Sequence, residues 1–222
     1  MIVAERKPME EILDMLGERR RIVLAGCGTC VTVCGAGGER EVSVLASQLK
    51  MHFKKKGEDV EIREVTPRRQ CDIEFIEDVR PHVEGADCIV SMACGAGVQL
   101  TAETYREIPV FPALNTEFIG VATEAGTWSE FCHGCGDCVL GLTGGICPIA
   151  RCAKSLLNGP CGGSQNGVCE INPETPCAWH LIVERLSGRG MLAELEKVRP
   201  ARNWWSDRSR GPRRVVREDM RR

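Results

Sequence analysis

Aromatic residues are scarce in this chain, 5% of 222 positions, so its interior is not built on stacked rings. No apolar run approaches the roughly 18 to 20 residues that a membrane helix requires, and no span is expected. The N-terminus, MIVAERKPMEEILDML, has early acids and no apolar stretch of the kind a secretory signal carries. A cytoplasmic location follows as the expectation, and there thiols stay reduced and disulfides are rare. No C-x-x-C-H occurs, which sets covalent haem attachment aside. Charge of one sign is also lacking overall, at −2, although its distribution is uneven. From 198 to 222 nine arginines face Asp207, Glu218 and Asp219, a local +6 that leaves −8 for the rest. With no aromatic platform beside it, this basic end reads as a solvated tail rather than a nucleic-acid surface.

What the chain does have is cysteine, 14 of them, and 24 glycines. In a reducing compartment that count argues for metal rather than a disulfide framework. Eight thiols fall in the 46 residues from Cys132 to Cys177, at 132, 135, 138, 147, 152, 161, 169 and 177. The first three form C-x2-C-x2-C, and Cys147-Pro148 follows. This is the bacterial ferredoxin pattern with a longer last spacer. Glycines 134, 136, 144, 145, 162 and 163 lie among them, where the chain can come close and backbone N–H groups can reach sulfur. Zinc is the competing metal. A zinc ribbon, however, wants two C-x2-C pairs, whereas the later thiols here lie 5 to 9 positions apart. The spacing favours iron–sulfur clusters, with zinc as the alternative.

The first half predicts alternating strands and helices, hence a parallel α/β sheet. A helix is expected over 8–19, a buried strand over 21–26 and a helix after Gly38 that ends in Lys54-Lys55-Lys56-Gly57. A strand over 60–65, a helix over 73–83, a strand over 88–92, a short helix over 98–106 and a strand at 110–111 follow. Loops at strand carboxyl ends form the site face of such sheets. They carry Cys27, Cys30 and Cys34 after one strand and Cys94 after another, a ligand set for one [4Fe–4S] cluster. Cys71 is a credible substitute for Cys94. Cys88 opens an apolar strand and reads as core. Gly26 and Gly28 imitate a dinucleotide-binding turn, but Val31 stands where its third glycine belongs. A redox dithiol at 27 and 30 is a minor reading, because a third cysteine follows at 34. His133 and His180 read as neighbours of the metal loops rather than ligands. The domains are placed at 1–126, the α/β domain, and 127–205, a cysteine-rich, ferredoxin-like iron–sulfur domain with C-terminal helices over 178–186 and 191–198. A basic tail at 206–222 completes the chain. Trp204-Trp205 is expected to pack on the cysteine-rich domain.

GCGTCVTVC, ACGAGVQ, PALNT, CHGCGDCVLGLTGGICPIARCAKSLLNGPCGG, GVCE and CAW together resemble the small cysteine-rich subunit that accompanies bacterial methylenetetrahydrofolate reductase. The resemblance covers roughly residues 20 to 205. It implies a non-catalytic, electron-transfer iron–sulfur subunit of an oxidoreductase complex. Its partner would be a flavin-containing catalytic subunit that reduces methylene- to methyl-tetrahydrofolate in the one-carbon (Wood–Ljungdahl) pathway, with further subunits donating electrons. Two clusters are expected in the second domain and one in the first. The ferredoxin analogy groups 132, 135 and 138 with Cys177, and 147, 152, 161 and 169 with one another. The alternative is a zinc-bound scaffold that joins the reductase to other subunits.

Overall fold

Arg21–Ala25 is a short apolar run with Ile22, Val23, Leu24 and Ala25 all buried, the pattern of a strand covered on both faces. In the computed structural model, which describes residues 1–207 and 211–220, this run is the centre of a parallel sheet. The chain divides into two compact units, Met1–Ser129 and Glu130–Arg222.

In the first unit the order of elements is β1 (Ile2–Arg6), α1 (Met9–Leu16), β2 (Arg21–Ala25), α2 (Cys30–Val33), α3 (Glu39–Lys55) and β3 (Glu61–Val65). They are followed by α4 (Ile73–Ile76), α5 (Arg80–Val83), β4 (Cys88–Ser91), α6 (Gly95–Thr104), β5 (Val110–Pro112), β6 (Leu114–Glu124) and β7 (Thr127–Cys132), the last running past Ser129 into the second unit. The parallel sheet runs β3-β2-β4-β5. Strand side chains alternate between faces, and β2 shows it. Ile22 and Leu24 join α3 residues Val42, Leu45, Leu49 and Phe53 in one apolar layer. Val23 and Ala25 join Ile76, Val79, Ile89 and Tyr105 in the other. Helix α3 starts where the Glu41 carboxylate accepts the Gly38 N–H at 3.0 Å. It ends in cations beside the carbonyl end of its dipole, and Gly57 takes the left-handed turn at φ 73°.

Two features depart from the sequence expectation. The interval 73–83 is α4, a 3-10 turn over Glu77–Val79 and α5, because Pro81 brings no N–H to a continuous ladder. A second, antiparallel sheet of order β1-β6-β7 was not anticipated. Its β6–β7 hairpin turns at Gly126, φ 80°.

The second unit holds α7 (Pro148–Arg151), α8 (Ala178–Gly188) and 3-10 turns at Leu192–Glu196, Trp204–Ser206 and Glu218–Met220. The expected helix over 191–198 is thus the first of these turns. Two isolated bridges, Gln165–Val168 and Val168–Pro176, fold the segment before α8 back on itself. Its buried apolar centre is small: Ile146, Ala178, Trp179, Ile182 and Leu186. Within the expected basic tail, 208–210 and 221–222 lie outside the described residues. Among the described residues no helix is long and apolar enough to cross a membrane.

Candidate metal centre

In the second unit, Cys152, Cys161, Cys169 and Cys177 line one small pocket that opens to solvent. The bridges around Val168 bring it about. Val168 pairs with Pro176, the Cys169 N–H donates to Thr175 O at 2.9 Å, and the Cys177 N–H donates to Gly167 O at 2.8 Å. Helix α8 supplies the floor, with Ala178 and Trp179 in the lining and the Trp179 indole N–H donating to Leu156 O at 2.8 Å. Lys154 and Glu170, paired with each other, complete the rim.

Two of these thiols are shifted toward their anionic form. Backbone N–H groups of Asn172 and Ile171 hold the Cys169 thiol below its ordinary range, helped by Ala153 N–H and the Lys154 charge. Burial pushes the Cys177 thiol up, but the Ser164 hydroxyl and the N–H groups of His180 and Trp179 outweigh it, and the net shift is downward. A thiolate is the form that binds metal.

The cavity takes Cys177 in place of Cys147, unlike the grouping expected from the ferredoxin analogy. Cys132, Cys135, Cys138 and Cys147 remain. The triplet lies on an open loop, with Cys132 and Cys138 exposed. The Gly134 N–H donates to Cys132 Sγ at 3.4 Å, and the Ala150 N–H to Cys147 Sγ at 3.5 Å. Of the other glycines expected to serve sulfur, Gly145 gives its N–H to Leu140 O instead.

A residue the sequence reading passed over stands on this loop. The Arg202 side chain is only 6% exposed, and its Nη2 donates to Cys135 Sγ at 3.0 Å and to Asp137 O at 2.6 Å. Its Nε and Nη1 have no hydrogen-bond partner among the described residues, and the nearest carboxylate, Asp137 Oδ2, lies 3.8 Å from Nη1. A buried cation with idle donors is costly unless an anion takes them. Arg213 donates to Gly134 O at 2.7 Å and Ser206 to Cys135 O at 3.1 Å, so the stretch after 199 straps the triplet loop. Trp204 belongs to that strap, with the Arg202 guanidinium 4.9 Å from its ring centre.

In the first unit, Cys27 follows β2, Cys71 follows β3, and Cys94 caps the start of α6 after β4. Cys71 sits at an exposed rim, yet enough protein surrounds its sulfur for burial to push the thiol up, with the Cys94, Cys27 and Cys30 thiolates adding to the shift. Cys34 is buried, its sulfur 3.7 Å from Ala4 O and 3.6 Å from Val31 O. Cys88 is wholly buried, and burial pushes its thiol up to about 12, as suits a core residue.

These cysteines are of the residue type that could hold a metal. Ligands of one zinc ion close to about 2.3 Å around a point. Among the described residues no three Cys, His, Asp or Glu side chains are gathered as the ligands of a single ion would be. Thiolates hold single ions and clusters alike, and Arg202 and Lys154 lie beside these loops. His133 is exposed, 4.0 Å from Glu130, and His180 rests its ring against Gly167; neither lines the cavity.

No curated protein and no solved structure matches the chain. Residues 111–205, from β5 through the cysteine-rich segment to Trp205, match the family described as methylene-tetrahydrofolate reductase C terminal.

Proposed function

We propose that this chain is an electron-transfer subunit of a methylenetetrahydrofolate reductase complex. Its cysteine-rich unit holds two [4Fe–4S] clusters, one on Cys152, Cys161, Cys169 and Cys177 and the other on Cys132, Cys135, Cys138 and Cys147. The observation that carries this reading is the ring of four thiols about one cavity, in the segment that matches the reductase-linked family. Such clusters accept and release single electrons at potentials set by charge, hydrogen bonds and exposure.

This chain's own residues supply those settings. Arg202 and the Gly134 N–H place donors on the triplet sulfurs, and Lys154, paired with Glu170, stands at the pocket rim. Helix α8 backs both sets. It lines the cavity through Trp179, and it holds the loop before Cys147 through Arg185, which donates to Gly144 O at 3.2 Å. The open triplet loop is the natural exit toward a partner's flavin, which collects two electrons for the folate reduction. The flavin subunit, the donor subunits upstream and a cytoplasmic setting belong to the same proposal.

The test is a pair of substitutions in the full chain isolated without oxygen. Cys169→Ser and Cys135→Ser should each abolish one cluster signal in electron paramagnetic resonance and leave the other. Both variants retaining both signals would overturn the assignment. A colourless protein loaded with zinc would replace the redox role with that of a scaffold.

A further inference from the structure

The N-terminal unit carries thiols of its own outside the segment that matches the family. Three parallel strands that lie side by side, β3, β2 and β4, each end in a loop bearing cysteine: Cys71, Cys27 with Cys30, and Cys94. The loops are fastened together beyond the strands. Gly26 N–H donates to Val65 O at 2.8 Å, Gly28 N–H to Pro67 O at 3.0 Å, and Met92 N–H to Ala25 O at 2.8 Å.

The strongest tie is Gln70, the residue before Cys71, which is wholly buried. Its Nε2 donates to Ala25 O at 2.7 Å and Gly26 O at 2.6 Å. Its Oε1 accepts from Ser91 Oγ at 2.7 Å and Thr101 Oγ1 at 3.0 Å. One carboxamide therefore spends all its hydrogen-bonding capacity joining the loop after β3 to those after β2 and β4 and to α6. Glycine permits the closeness: a Cβ on Gly97 would stand 2.9 Å from Gln70 Cβ and 2.7 Å from Ala93 Cβ.

We propose that Cys27, Cys30, Cys71 and Cys94 form one four-thiolate metal centre at this sheet edge, and that Cys34 serves packing alone. The order β3-β2-β4 and the ties through Gln70 set the loops that bear these four cysteines side by side, whereas Cys34 points to the carbonyls of Ala4 and Val31. A dithiol needs two sulfurs. Four on adjoining loops match the ligand number of a thiolate-bound metal centre. Which metal it takes, an iron–sulfur cube, rests on the function proposed above; the ligand set does not.

The experiment is alkylation of the native full chain, isolated without oxygen, with iodoacetamide before and after a chelator. Each cysteine is read by peptide mass spectrometry, and iron and zinc are measured alongside. An exposed free Cys71 would be modified at once. The proposal expects Cys71 to resist, together with Cys30 and Cys94, and to react once metal is stripped. Cys71→Ser and Cys94→Ser should lose the same share of metal, and Cys34→Ser should lose none. Immediate modification of Cys71 with metal content intact, or metal loss in Cys34→Ser but not Cys71→Ser, overturns it. Zinc in place of iron with the same protection pattern supports this ligand set while removing the electron-transfer role. Resistance in the eight C-terminal thiols, read from the same digest, reports separately on that role.

Discussion

The two units support their cysteines in opposite ways. In Met1–Ser129 the thiols stand at the rim of a parallel sheet with apolar layers on both faces, from Ile22, Leu24 and Leu49 on one side to Val23, Ile76 and Ile89 on the other. Cys27, Cys34 and Cys88 are members of the first of these layers, but strands and helices build most of it. In Glu130–Arg222 an apolar cluster of five residues and, among the described residues, one helix of more than a single turn accompany eight cysteines. Small domains with so little to bury need staples, and a bound metal is one. On the proposed function, the first unit presents thiols on a scaffold of its own, whereas in the second a metal centre would be part of the scaffold.

Stripping the metal breaks this comparison most severely. A chelator under reducing conditions should bring the amides of α8 close to unprotected exchange while those of β2 and β4 keep their protection. Hydrogen exchange by mass spectrometry reads both regions in one sample. Equal loss in the two units would mean that the sheet also depends on metal, and no loss in α8 would mean that neither does.

Arg202→Gln sharpens the comparison by a smaller step. It removes a charged donor from Cys135 Sγ in the strapped loop, and the first unit has no such strap. Charge-assisted hydrogen bonds are worth about 1.5–3 kcal/mol. Because the reduced cluster carries the extra negative charge, losing the donor should lower the midpoint potential of that centre by tens of millivolts, about 59 mV for each tenfold change in a one-electron step. Redox titration followed by electron paramagnetic resonance checks the direction. An unchanged potential would reduce Arg202 to packing.

The smallest effect is confined to the first unit. Hydrogen bonding from the Arg21 side chain and from the Arg20 and Arg21 N–H groups holds the Asp87 carboxyl far below the usual carboxylate range. A depressed carboxylate stabilises the fold fully above its unfolded pKa of about 3.9, and that contribution fades as pH falls toward the lower folded value. Asp87→Asn should therefore lower the melting temperature of the first unit at neutral pH and flatten its decline below about pH 4. Thermal melts across that range test the sign.

What was legible in the sequence was what leaves a local signature. Strand β2 and helix α3 announce themselves as an apolar run and a 3.6-residue period. Strand β6 does not, because most of its side chains face solvent and its polar sequence offers no alternation to read. Strand β1 pairs with β6 more than a hundred residues away, and no local pattern marks such a partner. Among the cysteines, spacing along the chain brings Cys34 to mind beside Cys27 and Cys30. It gives no hint that the turn after Cys30 rotates Cys34 inward. Cys71 is the converse. The sequence already offered it as a substitute for Cys94, and the strand order β3-β2-β4 adds that its loop lies beside that of Cys27. Cys177 too is placed by the fold, carried to Cys152 and Cys161 by the fold-back at Val168. Arg202 had no signal beyond being a cation in a basic end.

The most direct test is elemental. The full chain purified without oxygen should contain iron and acid-labile sulfide in equal amounts, with broad absorbance near 400 nm that bleaches on reduction. Protein that is folded, colourless and free of iron would contradict the account at its centre.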